Sequence, residues 1–387
     1  SGTTASALDL QQAYEAALLQ DATLQAARFA AKAGHEDVPQ ARAQLLPSVS
    51  ASFSRNNNEL LTRTPNFLGT LSETNYGYPS SNSNLSLRQP IYRKYQWAHY
   101  QLSLVRLNDV DATLEGELQS LSVRLATAYF DALMAQEQVV AIQVQLRAHR
   151  TRLDAAQKLF ASGSGVRTDV DDAQAQLDMT LAQVLEAKQN LDFSRQKLRV
   201  MVNQPVDNLA ILDASALPLR RPDPDDLEAW VSRAENASPD MKVLKARVDM
   251  AQFEIDKAKA GHYPTLDAVA QWSRSSSDNI QSVGSSYEQH SVGLQLNVPL
   301  FSGGGVSAAT RQAVANSERA AQNLEAARRD LGVRVQKEFR GVTEGILRIK
   351  ALEQALRSAE QSLLSGQRSY QAGNRTILDV LGAETKK

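Results

Sequence analysis

The sequence predicts a duplicated fold of very long helices and a few β-strands. Three observations predict it. The chain repeats itself, its helical stretches are too long for a globular core, and four short segments alternate between apolar and polar residues. Leu10, Leu24, Ala43 and Pro47 find counterparts 217 residues on, at Leu227, Met241, Ala260 and Pro264. Gln89-Pro90-Ile91-Tyr92 matches Val298-Pro299-Leu300-Phe301 at an offset of 209, and Val123 and Tyr129 match Val333 and Phe339 at 210. Phe160-x-x-Gly163 and Asp169-Val170 match Tyr370-x-x-Gly373 and Asp379-Val380, also at 210. The first half therefore holds eight extra residues between Pro47 and Pro90, in what reads as a surface loop. Each half reads helix, strand, loop, strand, very long helix, tight turn, helix.

The first helical stretch covers roughly 8–45, with a break expected near Asp21. A second runs from about 92 to 160 with no internal proline. There Leu114, Leu118, Leu121 and Leu125, then Ala128 and Ala132, keep the 3/4 spacing of one helix face. At 1.5 Å per residue this helix is roughly 100 Å long. It needs lateral partners, as in a coiled coil or a tubular wall. Ala at many stripe positions lets neighbours approach closely. A helix from about Thr168 to Val202 follows the turn at Gly163, and the second half repeats the long helix from about 304 to 370.

The strands are read at 48–54, 84–91, 265–273 and 291–300. Val49, Ala51 and Phe53 alternate with serines, and Val292, Leu294, Leu296 and Val298 alternate with Ser291, Gly293, Gln295 and Asn297. Two readings fit that pattern: a half-exposed antiparallel sheet packed on helices, or a transmembrane barrel that is apolar toward lipid and polar toward a wet lumen. Each strand is about the 9–11 residues of a tilted membrane strand. Four strands cannot close a barrel, and open edges are forbidden in lipid, so the barrel reading requires several chains. Arg88 falls on the polar face, as a barrel needs. The stretches 55–83 and 275–290, full of Ser, Asn and Gly, read as exposed loops. Pro47, Pro90, Pro264 and Pro299 stand where strands meet helices.

Composition removes other classes. With 42 Lys+Arg against 43 Asp+Glu the formal charge is -1, which removes the electrostatic case for nucleic acid. There is no cysteine, hence no disulfide, thiolate metal site or Cys nucleophile, and this suits an oxidising compartment. His35, His99, His149, His262 and His290 are scattered without metal-ligand spacing. Gly303-Gly304-Gly305 lacks the Lys-Ser/Thr of a phosphate loop and reads as a strand-to-helix swivel, and Asn236-Ala-Ser238 reads as a chance sequon. No catalytic constellation, metal site or cofactor is expected, and the protein is expected not to be an enzyme. Ser1-Gly2-Thr3-Thr4 reads as a trimmed or mature terminus.

Duplicated strand pairs between long helices, together with Tyr370-Gln-Ala-Gly373-Asn-Arg375-Thr376-Ile-Leu-Asp379-Val-Leu, closely resemble the TolC family of outer-membrane factors. Val298-Pro299-Leu300-Phe301-Ser-Gly-Gly also looks like the family, and the resemblance covers nearly the whole chain. It implies a homotrimer whose twelve strands form one outer-membrane β-barrel and whose helices form a long antiparallel α-helical barrel in the periplasm. The division it implies is 1–46, 92–203, 225–263 and 303–387 in the helical barrel, 47–91 and 264–302 in membrane strands and extracellular loops, and 204–224 as a linker of the equatorial domain. The implied function is a passive duct of a tripartite export system, opened at its periplasmic end by a periplasmic adaptor and an inner-membrane ABC transporter. Within the family the chain looks more like members serving type I secretion of haemolysin-type toxins, with a secreted polypeptide as cargo, than like drug-efflux partners. The absence of a lipidation cysteine agrees with this. The alternatives are the outer-membrane component of a small-molecule efflux pump and a non-membrane coiled-coil scaffold.

The motif match carries roles with it. Asp379 falls where members place a carboxylate ring at the periplasmic entrance, and Arg375 and Tyr370 where members hold the innermost helix pair closed. Asp169 falls where members offer an acceptor for such a bond. Gly163 and Gly373 mark hairpin tips that meet the adaptor in the family. The local reading of the same residues is helix capping by Thr376-x-x-Asp379, and a dipole-favoured anion at Asp169. The family's second acidic position is Gly382 here, which speaks against a double ring. Only fourteen residues follow Gly373, so by the repeat most of a last helix is expected beyond residue 387.

Overall fold

The computed structural model describes residues 7–65, 67, 69–211, 219–279 and 282–372. These divide into two compact units. One is drawn from Ser1–Ala30, Leu114–Ser238 and Arg328–Lys387, the other from Ala31–Thr113 and Pro239–Ala327.

The first helical stretch is three helices: α1 (Leu10–Gln20), α2 (Ala22–His35) and α3 (Asp37–Ala43). Asp9 opens α1 with a capping box, its Oδ1 accepting from the Gln12 amide at 2.7 Å while Gln12 Oε1 accepts from the Asp9 amide. Asp21 ends α1 in an extended conformation, as the sequence predicts, and starts α2 by accepting the Leu24 amide at 2.8 Å. After the first two strands, α4 (Lys94–Ala161) runs for 68 residues, and α5 (Arg167–Val202) follows the turn. The repeat then shows itself in α6 (Leu227–Ala237) and α7 (Pro239–Lys259), broken at Ser238, 217 residues after Asp21. Asp226, the counterpart of Asp9, caps α6 through the Glu228 amide. The final helix, α8 (Gly305–Gln371), has 67 residues. Among the described residues no helix is long and apolar enough to cross a membrane.

In the unit that holds all of α5, the core is an Ala/Leu stripe. Ala13, Ala17 and Leu24 pack with Leu121, Leu125, Tyr129 and Ala132 of α4 and with Leu198 and Val202 of α5. In the other unit the core is thinner and Ala-rich, with Ala31, Ala41, Ala98, Leu102 and Ala112 buried.

The strands β1 (Ser48–Pro65), β2 (Leu71–Arg93), β3 (Thr265–Asn279) and β4 (Ser282–Asn297) form one antiparallel sheet in that order. They are longer than the sequence predicts, and the stretches 55–83 and 275–290 are largely strand, not loop. Their Ser/Asn content conceals ladder pairing from Ser48 opposite Arg88 out to Pro65 opposite Leu71, reinforced by Asn58 Nδ2 donating to Ser80 Oγ at 2.8 Å and by an Arg63–Glu73 ion pair. Residues 298–300, read as strand, lie beyond the end of β4. Pro47, Pro264 and Pro299 flank strands, whereas Pro90 lies inside β2. There β1 has already ended and the register against β3 slips between Pro90 and Tyr92, so the missing N–H disrupts no pairing with β1. Gly303 and Gly304 both have positive φ and turn the chain into α8.

Candidate functional site

The sheet is the first candidate. Its cross-strand rows keep the two faces distinct. Val49, Leu87, Ala270 and Val292 align on one face, and Ser50, Ser86, Gln271 and Ser291 on the other. The apolar side chains of the outer strands, Val49 and Phe53 on β1 and Val292 and Leu296 on β4, are exposed, so a sheet buried on helices through this face is not what forms. The apolar face stays open: Val292 is 90% exposed and Leu294 69%. This face is uncharged from Leu266 to Trp272, a little under the length of a tilted membrane strand. It ends where Trp272 Nε1 donates to Glu288 Oε1 at 2.9 Å, an indole at the change from apolar to charged surface. The edges β1 and β4 have no partner within the chain among the described residues.

One charged cluster stands at the helix end of the polar face. Asp267, 2% exposed, accepts from Arg88 Nε at 2.9 Å and from Arg93 Nε at 2.7 Å, and from one further nitrogen of each guanidinium. Residues five apart on a regular strand face opposite sides. Ile91 is the extra residue of the bulge, and it turns Arg93 back to the side of Arg88. Sequence reasoning placed Arg88 correctly on the polar face. It missed Arg93 because the helix was read as starting at 92, and it missed Asp267 because one acid in a polar row carries no signal of its partners.

The turn between α4 and α5 is the second candidate. Gly163 has φ +76°, and the Ser164 amide donates to Leu159 O at 2.9 Å while the Gly163 amide donates to Phe160 O at 3.0 Å. This is a Schellman stop, which needs a left-handed residue at Gly163. Gly165, not singled out from the sequence, is tightly packed: a Cβ there would sit 3.1 Å from the Leu159 backbone carbon, which would have to give by a few tenths of an ångström. Asp169 is exposed in the first turn of α5, where the helix dipole favours it. Tyr370 is half-exposed near the end of α8. Among the described residues no hydrogen bond or ion pair joins Asp169 to Tyr370. Gly373, Arg375 and Asp379, named from the sequence as hairpin tip, latch and ring, lie outside the described residues, as does Gly382.

A sheet with two open edges and an uncovered apolar face, carried between helices of nearly seventy residues, defines a membrane channel subunit. The chain belongs to the family described as Outer membrane efflux protein, which it matches over residues 13–204 and 230–386. It is an outer-membrane protein, and the family's members are passive channels rather than enzymes. It is similar to the "Proteases secretion protein PrtF" of Dickeya chrysanthemi, 33% identical over 99% of this chain and 83% of that protein. It is likewise similar to the "Alkaline protease secretion protein AprF" of Pseudomonas aeruginosa, 32% identical over 98% of this chain and 79% of that one. The fold is shared with the CmeC outer-membrane channel of Campylobacter jejuni, at a TM-score of 0.78 with 16% identity over 97% of this chain and 79% of the other. Read alone, the sequence resembles the cyclolysin exporter CyaE. Protein CyaE of Bordetella pertussis is 25% identical over 76% of this chain and 61% of that protein, so the likeness to the protease-secretion proteins is the greater.

Proposed function

We propose that this chain is the outer-membrane duct of a type I secretion system and passes an unfolded polypeptide. The observation that carries the reading is the open sheet. Unpaired strand edges in lipid cost several kcal/mol per backbone group. Four strands per chain fall short of the roughly eight at which single-chain barrels begin. A homotrimer supplies twelve, closes both edges, turns the apolar face to lipid and encloses the polar face. The likeness to two protease-secretion proteins favours a protein cargo over small-molecule efflux. The partners in this reading are a periplasmic adaptor and an inner-membrane ABC transporter, which supply the energy.

In this reading, residues 47–91 and 264–302 are the membrane strands and their extracellular extension, and the segments 1–46, 92–203, 225–263 and 303–387 are periplasmic. Residues 204–224 link them at the equatorial belt. The hairpin tip at Gly163 meets the adaptor, as does that at Gly373. Asp169, Tyr370, Arg375 and Asp379 serve the entrance gate.

Single cysteines test it cleanly in a chain that has none of its own. At Leu294 and Leu296 they should react with lipid-soluble probes, and at Gln295 and Asn297 with water-soluble ones. The detergent-purified protein should run as a trimer and conduct in a planar bilayer. Uniform labelling of all four sites by the aqueous reagent, or a monomer without conductance, would end the proposal.

A further inference from the structure

Along the polar face the cross-strand rows are built from uncharged residues, such as Ser50, Ser86, Gln271 and Ser291. Among the described strand residues on that side, formal charge occurs only in the cluster of Arg88, Arg93 and Asp267. Two guanidinium groups against one carboxylate leave one net positive charge. The carboxylate is buried at 2% side-chain exposure and Arg93 is largely covered at 19%, while Arg88 is 50% exposed. The surplus charge therefore reaches solvent through Arg88. A fixed charge on an otherwise neutral wall dominates the local potential, because no described strand residue of opposite sign on that side compensates it.

We propose that Arg88 is a selectivity-determining residue: it makes the helix end of the polar face an anion-attracting girdle that favours small anions and the carboxylates of passing cargo. The proposal rests on the duct reading, in which three copies would carry a ring of three surplus charges around the lumen. Asp267 and Arg93 are its positioning residues. Two Arg88 nitrogens donate to Asp267 Oδ2 and fix its guanidinium at the wall, while the bulge at Ile91 brings Arg93 round to grip both carboxylate oxygens, so that the Asp267 charge is already matched.

The test uses the full chain, purified in detergent, with one cysteine at Ser86→Cys, two residues from Arg88 on the same face. Anionic and cationic methanethiosulfonates of equal size are compared. One unit charge at about 7 Å in water changes each rate by roughly twofold to threefold, in opposite senses. Arg88→Gln should therefore lower the anionic-to-cationic rate ratio by roughly fivefold, and Arg88→Lys should keep it. If Arg88→Gln does not fold, the wild-type background decides, since its anionic preference must fade as salt rises. In a planar bilayer under a salt gradient, Arg88→Gln should shift the reversal potential toward cation preference. An unchanged ratio and an unchanged reversal potential would make the cluster a structural clasp only and overturn the proposal. Absence of any wild-type conductance would instead sink the duct reading, and the labelling ratio would still decide the charge at the wall.

Discussion

Tyr129 is 2% exposed, and its hydroxyl lies 3.0 Å from Leu8 O and 3.1 Å from Ala210 O. It thus ties α4 to the two segments that pair through Leu8 and Leu209. Tyr129→Phe removes that donor from two carbonyls and should cost about 1–2 kcal/mol in urea unfolding. Burial, with the charge of Asp9 second, raises the Tyr129 phenol above its ordinary value. A raised folded value means stability that is complete below about pH 10 and lost as pH rises further. Between pH 9 and 11 the wild type should therefore lose more stability than Tyr129→Phe, and equal slopes would show that the phenol does not sense its burial. The repeat counterpart of Tyr129, Phe339, has no hydroxyl and lines an open cleft with Trp230, Val335 and Val342. The match of the two was legible in the sequence, but the hydrogen bonds of Tyr129 were not, because both acceptors are backbone atoms far along the chain. At the hairpin tip, Gly163→Val forces a β-branched residue into the left-handed region and should cost about 1–2 kcal/mol. Gly165→Ala should also destabilise the tip, through contact with Leu159, and proteolysis at 161–166 reads both.

Asp21 shows how one residue punctuates an element. It stops α1, caps α2 and receives Arg124 Nη2 at 3.4 Å. Asp21→Ala should cost about 1 kcal/mol, the ordinary value of an N-cap, seen as a lower Tm. This break was legible from the sequence, and so were the long helices, because 3/4 spacing without proline persists over many turns. The strand bounds were less legible. Beyond Phe53 the apolar face changes to Arg55, Asn57 and Glu59, so the alternation that marks a half-buried strand vanishes although the ladder continues. Loop-like composition marks exposure to water on both faces there, not the absence of structure. The bulge was hidden for a related reason: periodicity assumes constant phase, and one inserted residue reverses it. Deleting Ile91 should therefore be far worse than Ile91→Ala. The deletion turns Arg93 away from Asp267, leaving a buried carboxylate with half its donors, and should abolish the proposed trimer, read by its size in detergent, that Ile91→Ala retains.

For the whole molecule, the repeat, four-strand count and motif made the family legible, because each is a property of the complete chain. The gate was legible only as a motif, and Arg375 and Asp379 keep the roles the resemblance gives them as proposals. A duct through an outer membrane leaks unless closed, and a closure that an adaptor can release must rest on a few polar bonds. Exposed pairs of ~0–1 kcal/mol each, multiplied by three copies, suit that. Arg375→Ser with Tyr370→Phe should therefore raise single-channel conductance while the protein remains trimeric. Asp379→Ala should separately weaken block by multivalent cations. Wild-type conductance in the double variant would move the latch elsewhere. The polar face of the sheet has a mechanical consequence as well. Its serine hydroxyls and amides already engage one another, as Ser50 and Ser86 do at 2.7 Å and Gln271 and Asn84 at 2.8 Å. In the proposed duct a moving polypeptide would gain little by exchanging water for such groups, and along β1 from Ser48 to Ser54 it would meet only serine on that face. In that duct the serine rows past Arg88 would act as a lubricated bearing surface, where friction would be low and nearly independent of the sequence of what passes.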